Sequence, residues 1–322
     1  MKTLRRTLLP LLLLLLCLSL PTMAKEEPVE LPAAWGTLRG TLWLPDTPTE
    51  TAVVLIAGSG PTDRYGNSPA GVRTNAYALL AEALSQTGIA VLSYDKRGIA
   101  ASPYHNPEEL LSDCRFSYFI DDAERWIEVL KARGFRRILL MGHSEGAQIA
   151  LEVAARNPEV AGVVSLCGAA YPIDEILKVQ LTTQLLAVDY ALYAKACRII
   201  DTLKRGETPS EVPQPLVSLF PTYLNTYYHE WMALDPRKTA RSLQCPLLLI
   251  GGGRDTQVSA ANARALKEAC PTAEWQIFEA MAHTLKDTEG KSTQEQLDAY
   301  TNPSLPLSEG LVERILAFVK EL

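Results

Sequence analysis

Residues 137–147 read Arg137-Ile138-Leu139-Leu140-Met141-Gly142-His143-Ser144-Glu145-Gly146-Ala147. Four apolar residues in a row, Ile138 to Met141, suit a strand buried on both faces. From Ala147 to Arg156 the apolar residues recur at helical spacing. Between the two lies Gly-x-Ser-x-Gly, so the serine is placed on a tight strand-to-helix turn. Such a turn needs small neighbours, which Gly142 and Gly146 supply, and it presents the serine hydroxyl above a sheet. The start of the following helix favours negative charge developing beside that hydroxyl. The five-residue pattern alone is common by chance. In this context it marks Ser144 as a nucleophile.

Outward from this turn the chain alternates between strands and helices. Strands are expected over 35–44, 52–57, 90–94, 137–141, 162–166, 246–250 and 275–278. Helices are expected over 75–87, 116–133, 147–156, 260–269 and 309–322. Short apolar runs joined by helices imply an α/β architecture with a mostly parallel central sheet flanked by helices. One segment interrupts the alternation. Residues 172–236 hold no good strand, only helical pattern broken by Pro213, Pro215 and Pro221. That is far longer than a regular crossover and predicts a helical cap inserted over the C-terminal edge of the sheet. Within it Leu181, Leu185, Leu186, Tyr190 and Tyr193 can form one apolar face, expected to limit which acyl groups fit.

A serine hydroxyl needs a base. Of the four histidines, His143 adjoins Ser144 and should point away, His105 lies in an early loop, and His229 lies in the cap. His283 follows the last strand and is the expected base. Its orienting acid is expected to be Asp255, in Gly251-Gly252-Gly253-Arg254-Asp255 after another strand, with Asp174 as the rival. The order Ser, Asp, His along the chain is one of three known for this chemistry. An oxyanion hole needs two backbone donors. The Glu145 N–H should be one. The other should come from Gly58-Ser59-Gly60-Pro61-Thr62-Asp63-Arg64, with Ser59 N–H preferred and Gly60 second.

The N-terminus has a different character. Lys2, Arg5 and Arg6 precede the apolar run 8–20, and Thr22-Met23-Ala24 follows at the spacing of a signal-peptidase site. Residues 1–24 are therefore expected to be a cleaved signal peptide and the remainder, 25–322, an exported domain, periplasmic or secreted. Losing those three basic residues takes the net charge from −6 to −9. An acidic chain without a basic patch is a poor partner for nucleic acid, and no later segment suits stable membrane insertion. Five cysteines remain: Cys114, Cys167, Cys197, Cys245 and Cys270. Their spacing matches no metal pattern, and no metal site is expected. Cys245 and Cys270 each lie just before a strand, and a disulfide between them is expected if those strands are neighbours.

Taken together, the Gly58 to Arg64 loop, Tyr94-Asp95-Lys96-Arg97-Gly98, the Ser144 turn, the Asp255 turn and His283 resemble the bacterial carboxylesterases of the α/β-hydrolase superfamily. The resemblance runs from about residue 36 to 283 and is most specific in its loops. It implies an α/β-hydrolase fold, hydrolysis of small-molecule carboxylic esters with short acyl chains, and no cofactor. Ala100 stands where these relatives tend to have a second glycine. Asp63, Arg64, Asp95 and Arg97 read as ion pairs bracing the oxyanion loop. A thioesterase or lactonase would use the same residues. A serine aminopeptidase would need acidic anchors for an amine, for which Glu230 and Asp235 are the candidates. A hydrolase fold kept only for binding is the reading of another class. The oligomeric state is not legible.

Overall fold

The first residues of the fold, Lys25–Ala33, form a strand (β1) that pairs along its whole length, antiparallel, with β2 (Gly36–Leu44). The structure is a computed structural model that describes residues 25–322; the expected signal peptide, 1–24, lies outside the described residues. β1 was not expected, because Pro28, Pro32 and three glutamates give it no alternation. It is the sheet's first edge, the place where proline and charge belong in a strand.

Six further strands complete the sheet: β3 (Thr51–Ile56), β6 (Ala90–Tyr94), β7 (Arg137–His143), β8 (Val160–Leu166), β9 (Leu247–Gly252) and β10 (Glu274–Phe278). A separate two-stranded ribbon is formed by β4 (Asn67–Ser68) and β5 (Val72–Arg73). The order across the main sheet is β1-β2-β6-β3-β7-β8-β9-β10, with β2 antiparallel to both neighbours and every pairing from β6 to β10 parallel. Its apolar runs are covered on both sides. In β3, Ala52, Val54 and Ile56 join a core with α3 (Phe116–Ala132) and α4 (Glu145–Arg156). Val53 and Leu55 join the opposite core with α1 (Ala76–Gln86) and α11 (Leu311–Lys320).

The strand order also locates a crevice. From β3 the chain goes to β6 on one side and then returns past β3 to β7 on the other. The loops leaving the carboxyl ends of β3 and β7 therefore diverge, and open α/β sheets bind ligands at such a switch point. The loop after β3 is the one containing Ser59; the loop after β7 is the turn at Ser144.

Between β8 and β9 run α5 (Ile173–Leu185), α6 (Tyr190–Lys204), α7 (Asn225–Met232) and α8 (Pro236–Ser242). The last packs on α4 and α9 (Ala261–Ala269), beside the sheet. Two short helices were not expected: α2 (Pro107–Ser112), capped by Asn106, and α10 (Thr293–Thr301), opened by a Ser292–Glu295 capping box. The five cysteines among the described residues are all free, so Cys245 and Cys270 are not joined although β9 and β10 are neighbours. Cys270 does not sit at the strand's edge. It ends α9 and turns its sulfur to the Thr272 hydroxyl at 3.5 Å.

Ala100 adopts φ 45°, the left-handed conformation that glycine takes without penalty. The loop keeps its shape at the expense of strain there, held by the Ala101 N–H to Asp95 Oδ2 and the Gly98 N–H to Ser102 O. Ala100→Gly is expected to raise stability in urea unfolding by about 0.5–1 kcal/mol, since relieving left-handed strain of roughly 1–2 kcal/mol outweighs glycine's extra freedom in the unfolded chain.

Candidate active site

Ser144 sits between β7 and α4 at φ 54°, ψ −116°, a conformation rare outside glycine. The turn closes because its flanks are bare. A Cβ on Gly142 would lie 2.0 Å from the Gly146 carbonyl oxygen, and one on Gly146 would lie 2.2 Å from Ile56 O. The helix begins at Glu145, two residues earlier than expected. As its first residue, Glu145 has an N–H with no intrahelical acceptor.

Asp255 and His283 meet below this turn. His283 Nδ1–H donates to Asp255 Oδ2 at 2.7 Å, and Asp255 Oδ1 accepts from the Gln257 and Val258 N–H groups at 2.8 Å each. Burial pushes the Asp255 carboxyl up, but the His283 charge and these hydrogen bonds outweigh it and hold the group below its usual range. The rival acid, Asp174, is instead paired with Lys204 across the cap at 2.6 Å.

His143, beside Ser144, has partners of its own. Its Nε2–H donates to the His283 carbonyl at 2.8 Å, so Nδ1 must accept, and the Tyr77 hydroxyl donates to it at 2.8 Å. Tyr77 in turn accepts the Gly58 N–H at 3.1 Å. One chain of bonds thus joins the loops after β3 and β10 through the end of β7. Burial, then the neighbouring His283, push the His143 pKa down to about 3. His143, Cys167 and His283 are the group of potential metal donors among the described residues, within 4.8 Å of one another. Both nitrogens of His143 and Nδ1 of His283 already have partners.

The charged loops are braced differently from the expectation. Arg64 does pair with Asp95, through its N–H at 2.8 Å and its guanidinium at 3.6 Å. Asp63 instead caps its own turn, accepting from the Tyr65 and Asn67 N–H groups at 2.9 Å. Arg97 makes a bidentate pair with Asp122 of α3, both bonds 2.7 Å. The cation that reaches the Ser59 loop is Lys96, whose Nζ donates to Gly58 O at 2.7 Å and to Glu145 Oε1 at 2.6 Å. The other Glu145 oxygen accepts from the Tyr227 hydroxyl of α7.

Ser59 and Ser144 stand where two cavities meet. The larger, about 670 Å³, is walled by Phe119, Ile176, Leu177, Tyr223, Tyr227 and Trp231 among others. The smaller, about 190 Å³, contains His283, with Tyr77 and Tyr300. Some of Leu181, Leu185, Leu186, Tyr190 and Tyr193 are expected from the sequence to line the entrance, with most packing on the core; none lines either cavity. Leu181 is buried in the core, Leu185 and Tyr193 pack against it, and Leu186 and Tyr190 are exposed. Helical spacing gives the width of an apolar stripe but not its direction. The lining face of α5 is the one carrying Ile173, Ile176, Leu177 and Gln180.

The family model described as serine aminopeptidase, S33, matches residues 70–289, which include Ser144, Asp255 and His283. The chain belongs to this family. It is 32% identical over 246 residues to Esterase EstD of Thermotoga maritima, covering 75% of this chain and 56% of that protein. The chain thus spans little more than half the length of that relative. Among solved structures it resembles the Pyrococcus furiosus esterase Pf2001 (TM-score 0.57, 17% identity, 92% of this chain and 91% of that one). It also resembles Est1E from Butyrivibrio proteoclasticus, solved with ferulic acid bound (TM-score 0.58, 15% identity, 91% and 96%). A third is the α/β hydrolase GrgF from Penicillium (TM-score 0.59, 16% identity, 92% and 98%). The expected α/β-hydrolase fold is therefore the fold of this protein.

The buried neutral His143 makes acid destabilising. Its folded pKa is depressed below the unfolded value of about 6.5, so its contribution is present in full above that pH and is lost as pH falls towards 3. Between these limits stability should drop by roughly 1.4 kcal/mol per pH unit from this group. Urea unfolding from pH 7 to pH 4 should show a shallower slope in His143→Gln; equal slopes in the two proteins would contradict the assignment.

Proposed function

We propose that this protein hydrolyses carboxylic esters through a Ser144–His283–Asp255 triad and an acyl-enzyme intermediate. The observation that carries the reading is Ser144 on its left-handed turn, where two cavities meet, with His283 held by Asp255 in the smaller. His283 takes the Ser144 proton as Oγ attacks the ester carbonyl. The Ser59 and Glu145 N–H groups bind the oxyanion, and the His283 imidazolium returns its proton to the departing alcohol. Water, deprotonated by His283 in its turn, then attacks the acyl carbon and frees Ser144. Asp255 keeps the proton of neutral His283 on Nδ1, leaving Nε2 to do this work.

Because His283 must protonate the leaving oxygen, the alcohol belongs on the side of the smaller cavity and the acyl group in the larger. The larger cavity's polar groups are mostly turned inward on the protein: Tyr227 to Glu145, Tyr228 to Leu219 O, Gln180 to Gln257 O and Gln148 to Glu152. It therefore offers an apolar wall of a volume that holds drug-sized ligands. Acetyl to butyryl esters are proposed substrates, and the wall gives no steric reason to exclude acyl chains as long as octanoyl.

The aminopeptidase reading draws on the family's description, yet the amine anchors it needs are engaged. Glu230 accepts from the Ser117 N–H and hydroxyl, and Asp235 caps α8. Glu145, which lines the larger cavity, is held by Lys96 and Tyr227. Export under the leader at 1–24 belongs to the same proposal.

Ser144→Ala and His283→Ala should each lower kcat/KM on p-nitrophenyl butyrate by three or more orders of magnitude, with the double variant no worse, because triad members act as a unit. A fluorophosphonate probe should label the wild type and not Ser144→Ala; an unlabelled wild type would point to a binding protein. Across a p-nitrophenyl series, octanoyl should stay within about tenfold of butyryl, and Leu177→Ala or Trp231→Ala, which remove apolar wall, should change the ratio of the two by about threefold or more. Leu186→Ala and Tyr190→Ala should leave the profile unmoved.

A further inference from the structure

Lys96 lies two residues beyond β6, and its side chain is only 3% exposed, paired with a Glu145 side chain that is 1% exposed. Ion pairs this deep seldom stabilise a fold more than apolar residues of the same shape would, because both charges lose their water. What distinguishes this one is what its ammonium touches. The Gly58 carbonyl and the Ser59 N–H are the two ends of one planar trans peptide and point in opposite directions. A cation fixed on that carbonyl at 2.7 Å therefore fixes where the Ser59 N–H aims, and polarises it towards stronger donation. The second acceptor is the side chain of Glu145, the residue that offers the other oxyanion N–H. Tyr227 holds the remaining carboxylate oxygen from the cap side.

We propose that Lys96 is a positioning residue that joins the two halves of the oxyanion hole into one preorganised unit. This rests on the hydrolase reading above. Lys96 does not touch the reacting atoms; it acts through the Gly58–Ser59 peptide and the start of α4. The bonds it makes span 38 and 49 residues of sequence, so they tie the β3 loop to the β7 turn across the crevice between them. The ester's carbonyl oxygen gains its negative charge only in the transition state. Misaligned donors should therefore slow turnover and leave ground-state binding alone.

The test compares wild type, Lys96→Met, and Lys96→Met/Glu145→Gln, in which the unpaired buried carboxylate left by the first change is also neutralised. Each is assayed for p-nitrophenyl butyrate hydrolysis, for inhibition by an alkyl trifluoromethyl ketone that forms an oxyanion on Ser144, and for melting temperature. Lys96→Met should lose about 10–100-fold in kcat with KM within about threefold, and ketone affinity should fall in parallel. The double variant should recover melting temperature but neither kcat nor ketone affinity. A double variant that regains kcat to within about threefold of wild type would mean the pair serves stability alone, and a loss carried by KM would equally overturn the proposal. Should Lys96→Met not fold, the double variant carries the test. An inert, unlabelled wild type would sink the hydrolase reading itself, and this proposal with it, before any Lys96 variant is measured.

Discussion

Backbone touches backbone at residue 146. The carbonyl of Ile56, at the end of β3, lies where a side chain on Gly146 would begin, and Gly146 itself fills the space above Gly142. Ile56 is also the register partner of Gly142, so β3 and β7 stay paired up to the point where their loops part. From this contact follow the left-handed turn at Ser144, the exposed start of α4 beside it, and the nearness of the Gly58–Ser59 peptide. Among the described residues no other part of the fold supplies that geometry, because only at the switch in strand order do adjacent carboxyl ends send their loops apart.

Around this point the protein replaces water with its own groups. His143 is neutral and spent on Tyr77 and on the His283 carbonyl. Arg97 is spent on Asp122, and Glu230 on the start of α3. The cavities are lined by the half-buried Ser144, the exposed Ser59, polar groups already bonded elsewhere such as Glu145 and Gln180, and apolar wall. A site in which the supporting polar atoms are already bonded has little to reorganise when charge develops.

The elbow and the central strands were legible because their signals are local. An apolar run, two glycines around a serine and a helical period all fall within twenty residues. The pairing of Asp255 with His283 was legible too, each residue lying in a loop just past a strand. The edge strand β1 escaped, since Pro28, Pro32 and its glutamates erase the alternation that marks a strand. The lining face of the cap was not legible, because Leu181, Leu185 and Tyr193 do form an apolar stripe, but one that packs on the core. Tyr77 and Lys96 were invisible as partners for a plainer reason. Their acceptors and donors lie tens of residues away, and no periodicity in the chain encodes which buried hydroxyl or ammonium will find them.

The backbone at Ser144 has a cost that falls on the whole chain. A serine held in the left-handed region stores about 1–3 kcal/mol, a sizeable share of the margin by which an ordinary domain stays folded. Glycine would relax that strain and keep every neighbour in place, but it has no hydroxyl. Under the proposed mechanism, heat resistance and the reaction thus pull residue 144 in opposite directions. On that reading, a population selected for thermal endurance alone would drift towards glycine there and become a more durable, inert protein.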